Sequence, residues 1–207
     1  MMSDTRSWRR VALPLFGAAA LAGLAASALA QSPPATQVFE SAQYRYSVAL
    51  PAGCRHDEGP GTIDAICTRD LDAEKSATAR ADASFLLQVG VERVAGDAGR
   101  PATDLAQSYG EAAFKQELPE AVCGETDLAR IKIDGIKQVL EEGRVVYTAG
   151  VTCPEVKFLG LGERKATVRF LITPGLRYRL VARAPTDDFA QRKDNIEAFF
   201  TSFRVLP

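Results

Sequence analysis

The chain has one histidine, His56, in the run His56-Asp57-Glu58, where an imidazole beside two carboxylates has the makings of an acid–base pair. Hydrolysis of the Ser-His-Asp kind also needs a nucleophile, and no G-x-S-x-G elbow or reactive thiol accompanies it. Gly59-Pro60-Gly61 follows directly and marks a turn, so the triplet reads as a solvated polar turn. Two further acidic sets have the chemistry to hold a cation. Asp70, Asp72 and Glu74 alternate as calcium ligands do, yet lack the glycine and closing glutamate of an EF-hand loop. Glu141-Glu142 lies in a turn and reads as solvated. No phosphate loop or dinucleotide fingerprint occurs. The sequence therefore assigns no catalytic residue, no metal ligands and no cofactor.

Four cysteines remain, Cys54, Cys67, Cys123 and Cys153. No CxxC is present, which removes the usual redox dithiol, and a single imidazole makes a zinc site poor. In an oxidising compartment the default is two disulfides. Of the three connectivities, the sequential one, Cys54–Cys67 with Cys123–Cys153, closes the shortest loops, and the Gly-Pro-Gly turn between the first two brings their ends together.

One surface reads as basic. Lys165, Arg169, Arg177, Arg179 and Arg183 fall on one face of a hairpin spanning 165–184 if the apolar residues take the other. A plain two-residue loop at Pro174-Gly175 would instead set Ile172 opposite Arg177 and bury guanidinium groups among apolar side chains, at a cost of several kcal/mol. The sequence thus predicts an odd-length loop or one-residue bulge near 173–177. The basic residues would then lie opposite Phe170 and Tyr178 and offer a surface to an anion or a partner.

The elements that must position these residues follow from periodicity. Val38–Leu50 opens with Tyr44, Tyr46, Val48 and Leu50 in alternation, and strands are expected over 63–68 and 85–94. Residues 69–82 read as a loop or short helix. A helix is expected from about Thr103 to Leu118, with the stripe Leu105, Tyr109, Ala112 and Ala113 and a stop at Pro119. Leu128–Ile133 and Ile136–Leu140 read as a hairpin about Asp134-Gly135, and Val145–Cys153 as the next strand. After the 165–184 hairpin, Thr186 caps a last helix whose stripe is Phe189, Ile196, Phe199 and Phe200, and 202–206 is extended. The order implies a single α+β domain, a central antiparallel sheet packed by two main helices.

The first thirty residues read as an export signal. Arg6, Arg9 and Arg10 precede an apolar run of about 16 residues, short of the ~20 that span a bilayer, and Ala28-Leu29-Ala30 is a small-x-small cleavage site. Cleavage is predicted after Ala30, followed by a polar leader over 31–37 and the domain over 38–207. At 207 residues, 46% hydrophobic and 25% charged, the chain has a globular composition. Losing three arginines and Asp4 moves the net charge only from −1 to −3, which gives no reason to expect a nucleic-acid partner.

Two segments carry a family resemblance. Tyr44-Arg45-Tyr46-Ser47-Val48-Ala49-Leu50-Pro51-Ala52-Gly53 is an aromatic strand ending in Pro-x-Gly, and Phe199-Phe200-Thr201-Ser202-Phe203-Arg204 is a helix end running into Ser-Phe. Together they resemble the PsbP-like fold family: extrinsic photosystem proteins, exported bacterial relatives of unknown role, and a eukaryotic Ran-binding branch. The resemblance implies a central antiparallel sheet covered by helices and a binding or accessory role, and it supplies no catalytic residues.

These observations point to an exported periplasmic protein that is a non-enzymatic binding or accessory module of the cell envelope. Its expected partner is an envelope protein, its mature form does not span the membrane, and its oligomeric state is open. The alternatives are a hydrolase or transferase of envelope polymer that works through carboxylates, and an anion- or lipid-binding protein that uses the basic hairpin.

Overall fold

Period-two alternation sets the framework, and its strands pair antiparallel throughout. The structure, a computed structural model, describes residues 36–67, 85–124, 130–141, 143–157 and 160–207. The expected export signal, most of the expected leader, the 69–82 segment with Asp70, Asp72 and Glu74, Glu142 and the start of the expected 128–133 strand lie outside these residues. Strands β1 (Thr36–Ser41) and β2 (Tyr46–Pro51) form a hairpin, so the last two leader residues are strand. Next come β3 (Arg55–Gly59), β4 (Thr62–Cys67) and β5 (Phe85–Arg93). Two helices follow, α1 (Ala102–Ser108) and α2 (Glu111–Leu118). A run of four strands comes after them: β6 (Lys132–Glu141), β7 (Arg144–Lys157), β8 (Gly160–Thr173) and β9 (Leu176–Pro185). Helices α3 (Thr186–Phe189) and α4 (Lys193–Ser202) and a two-residue strand β10 (Arg204–Val205) complete the order.

The large sheet has the order β3-β4-β5-β9-β8-β7-β6, and β1-β2-β10 forms a second, three-stranded sheet. One face of the large sheet packs β2 and α4 through Tyr46, Val48, Leu50, Phe199 and Phe200 against Phe85, Leu87, Val89, Tyr178 and Leu180. The other face packs α1 and α2 through Leu105, Tyr109, Phe114 and Leu118 against Tyr147, Val168, Phe170 and Ile172. The expected α+β fold is therefore present, with a helical layer on each face.

Residues 202–207 return to the start of the domain. Arg204 and Val205 pair with Ser47 and Tyr46, the Leu206 amide donates to the Arg45 carbonyl at 2.8 Å, and Phe203 stacks on Tyr46 at 5.7 Å.

Several local expectations are corrected. Asp134-Gly135 does not turn a hairpin: β6 continues through it as one strand, with an irregular register between Asp134 and Lys137 and Gly135 at φ 62°. An αL glycine serves a bulge as well as a turn, and here β7 is long enough to need one long partner. The helix expected over 103–118 is broken at Tyr109-Gly110. Glycine lowers helix propensity there, and the break frees the Tyr109 carbonyl to accept the buried Tyr147 hydroxyl. In α2 the buried residues are Phe114 and Leu118, while Ala112 of the expected stripe is exposed.

The α-helix does end at Leu118, before Pro119, but the chain stays helical: Pro119 opens a π-helical turn, Pro119–Cys123, that ends at Gly124 with φ 64°. Thr186 does not cap: its hydroxyl donates to the Glu163 carbonyl at 3.0 Å and Pro185 holds the cap position.

Both disulfides join the expected pairs, Cys54–Cys67 with Cα atoms 4.6 Å apart and Cys123–Cys153 at 5.4 Å. The second ties the π-helical turn to β7 across a separation of 30 residues. Replacing Cys123 and Cys153 by serine is expected to cost about 3–4 kcal/mol through the freed loop of the unfolded chain. Urea unfolding reads this directly, and an unchanged midpoint would show that the bond constrains nothing.

Candidate functional site

The hairpin of β8 and β9 is regular: Thr173 faces Leu176, Ile172 faces Arg177, Leu171 faces Tyr178 and Phe170 faces Arg179, with Gly175 at φ 83°. The bulge expected near 173–177 is absent, and the five basic residues do not form one surface. Because paired residues share a face, Arg177, Arg179 and Arg183 lie with Phe170 and Ile172 on the α1–α2 side, and Arg169 and Lys165 lie on the α4 side. The expected penalty is avoided by partners that come from other elements. Arg169 donates to the Phe200 carbonyl at 3.2 Å and stands 5.2 Å from the Phe200 ring centre; burial lowers its pKa. Arg183 donates to the Val122 carbonyl at 2.8 Å. Lys165 is exposed.

Arg177 is anchored at its tip. Its Nη2 donates to Asp97 Oδ2 at 3.0 Å, and its guanidinium lies over the Tyr109 ring, 4.9 Å from the centre. Asp97 sits in a 3-10 turn, Ala95–Asp97, after β5; it is only 5% exposed and also accepts from Arg100 at 3.4 Å. Tyr109 in turn donates to Glu117 Oε2 at 2.7 Å. Burial first, then the Glu117 hydrogen bond and charge, push the Tyr109 phenol far above its ordinary pKa, so it stays a donor.

Arg179 is different. It pairs across the ladder with Gly90 of β5, and a Cβ placed on Gly90 would stand 3.3 Å from Nη2 and 3.5 Å from Nε. The guanidinium therefore lies on the glycine, which leaves it the room. Its Nε is buried without a hydrogen-bond partner, as are those of Arg177 and Arg183, but unlike them Arg179 has no other hydrogen bond or ion pair among the described residues. A cavity of about 110 Å³ opens here, lined by Thr62, Gly90, Glu92, Glu117, Arg177 and Arg179. This fixed cation without an acceptor, with two carboxylates at the same cavity, is a site able to bind and orient a small polar group. Sequence reading singles out Arg177 and Arg179 but not Gly90, Asp97, Tyr109 or Glu117. A glycine inside an otherwise apolar strand was the available signal, since it marks close approach by another group.

Other hollows carry less. A larger groove of about 600 Å³ near α3 is lined by Arg130, Lys132, Glu163 and Asp187, where Lys132 and Glu163 answer each other at 3.4 Å. A third, about 240 Å³, lies between the β1–β2 and β3–β4 hairpins beside Phe39, Tyr44, Tyr46 and Glu58; burial, then the Glu58 charge, raise the Tyr46 pKa to about 12.

His56-Asp57-Glu58 is strand β3 rather than a turn. The His56 ring nitrogen Nε2 lies 2.8 Å from the Pro51 carbonyl, its ring packs edge-on to Phe39, and Asp57 pairs with Arg55 at 2.9 Å, so each of the two has a structural partner. Glu141 pairs with Arg144 at 3.4 Å. No helix among the described residues is long and apolar enough to cross a membrane.

No protein-family model and no curated protein matches the sequence. Solved structures do match in shape. The solution structure of the cyanobacterial PsbP protein CyanoP from Synechocystis sp. PCC 6803 aligns over 85% of this chain and 95% of its own, with a TM-score of 0.50 and 16% identity. LpqN, described as involved in cell envelope biogenesis of Mycobacterium tuberculosis, aligns over 86% and 88%, with a TM-score of 0.49 and 12% identity. A Pseudomonas aeruginosa protein of unknown function, described as a putative regulator, aligns over 83% and 98%, at 0.45 and 9%. With its sheet order, its two helical layers and the shape it shares with CyanoP, the domain has the PsbP-like fold.

Proposed function

We propose that this chain is an exported, non-enzymatic binding or accessory module of the cell envelope, and that the Arg179 cavity seats its ligand. The signal-like residues 1–30 and the two disulfides support export to an oxidising compartment. The observation that carries the binding reading is Arg179 itself: a guanidinium held against Gly90 at the cavity, with no hydrogen bond or ion pair among the described residues. A guanidinium edge is shaped for a carboxylate, which it holds through two parallel hydrogen bonds. Glu92 and Glu117 line the same cavity and accept rather than donate. The occupant that satisfies both is a carboxylate next to an amide N–H, as at the end or an acidic side chain of a peptide. A cavity of about 110 Å³ takes that group and no large ligand.

Nitrogen-detected spectra of the arginine side chains test this. Titration with N-acetylglycine is expected to move the Arg179 Nε–H resonance saturably, while inorganic phosphate, which lacks the amide donor, binds more weakly. Arg179→Met keeps a stem over Gly90 and removes the donors; it should lose affinity about 10- to 100-fold. Envelope protein captured by crosslinking should depend on Arg179 in the same way. Equal binding by wild type and Arg179→Met rejects the cavity as the ligand seat.

A further inference from the structure

Strand β6 ends the seven-stranded sheet, and its second half is bare. Every residue from Lys137 to Glu141 is exposed, including two large apolar ones, Val139 at 47% and Leu140 at 55%. Exposed, flat, apolar edges invite pairing with another chain, and proteins usually blunt them. The first half of β6 is blunted: the irregularity between Asp134 and Lys137 bends the strand and interrupts the ladder. The regular stretch left over is the five residues 137–141.

We propose that this stretch is the contact between two copies of the chain, which pair antiparallel, β6 against β6, about a two-fold axis at Val139. Backbone geometry and charge fix the register. Glu141 faces Arg144 with two residues between them, the closing pair of a hairpin, and in such a pair both residues turn their N–H and C=O toward each other. Direction alternates along a strand, so Gln138 and Leu140 turn theirs outward, to the free edge. Centring the two-fold on Val139 sets Gln138 opposite Leu140 of the second copy, and Leu140 opposite its Gln138, so that all outward groups of these residues bond. Val139 then meets Val139 at the close, non-hydrogen-bonded position. The same register sets Lys137 opposite Glu141 of the second copy, twice by symmetry. Lys137 has no ion-pair partner among the described residues, and Glu141, whose charge also acts on Arg169, meets Arg144 through Oε2 at 3.4 Å. The strand is self-complementary in hydrogen bonds, in apolar contact and in charge at one register.

The inference is independent of the Arg179 cavity. Sedimentation equilibrium of the chain purified after export should show a concentration-dependent dimer, and hydrogen exchange should show amide protection at Gln138 and Leu140 in the dimer. Lys137→Glu and Glu141→Lys should each weaken dimerisation about tenfold, because two attractive cross-strand pairs become repulsive. The double variant K137E/E141K restores opposite charges and should return to within about threefold of wild type. Circular dichroism of each monomer stays unchanged, since these side chains are exposed. A chain that stays monomeric at every concentration overturns the proposal; this includes a chain whose edge is taken by an extended segment of another protein. A dimer indifferent to Lys137→Glu, or a double variant that stays weak, overturns it as well.

Discussion

Replacing Phe114 with alanine is expected to destabilise the domain by about 3–5 kcal/mol, a large share of what a domain of this size has. Phe114 is fully buried on α2, stacked on Tyr147 at 5.1 Å and edge-on to Phe170 at 5.0 Å. It is the peg that joins a short helix to β7 and β8. A two-turn helix has little stability of its own, so its position rests on this packing. Chemical denaturation measures the loss. A fall of less than about 1 kcal/mol would mean that α2 is held by the disulfide after it rather than by its aromatic contacts.

Asp97→Asn is expected to cost about 3 kcal/mol, since it leaves the inward-facing Arg177 without its counter-charge. The asparagine keeps the shape, so the loss reports charge rather than volume. Arg177→Met in the same chain should recover part of it, because an uncompensated guanidinium is worse than none. A thermodynamic cycle in urea gives the coupling, and strictly additive losses would show that the 3.0 Å pair is incidental. The same turn packs on the β8–β9 loop, where the Val94 amide donates to the Gly175 carbonyl at 3.0 Å. Loss of the charge should therefore also loosen the mouth of the Arg179 cavity.

Which parts of this fold are legible in the sequence follows from where the deciding force lies. Strands β5, β7, β8 and β9 carry their own alternation, and Phe199 and Phe200 carry the helical stripe of α4, so local pattern is enough. Strand β3 carries none: Arg55, His56, Asp57 and Glu58 are all polar, and they are strand because β4 has a side left to pair. Asp134-Gly135 is locally the same whether it turns or bulges, and the length of β7, not the dipeptide, decides. The arginines of β9 mislead for a related reason. A reading confined to the hairpin finds no partners for Arg177, yet Asp97 stands 80 residues away in sequence and 3.0 Å away in space. The candidate site was thus half visible. Its cations are in one strand, while the glycine that admits Arg179 and the acids around it come from β5 and α2.

The return of residues 202–207 onto β2 has a consequence for the order of events in folding. The Ala49 amide donates to the Ser202 hydroxyl across 153 residues of sequence, and Val205 completes a ladder that Tyr46 begins. The three-stranded sheet therefore cannot close while the chain is still being made: β1 can pair with β2 early, but the other edge of β2 must wait for Val205 to arrive. Contacts of such separation slow folding, because loop entropy is lost before they form. A chain built this way keeps one edge of β2 unfilled until late in its synthesis. The Tyr46–Phe203 stack acts as a latch that shuts only when nearly all of the domain has been made.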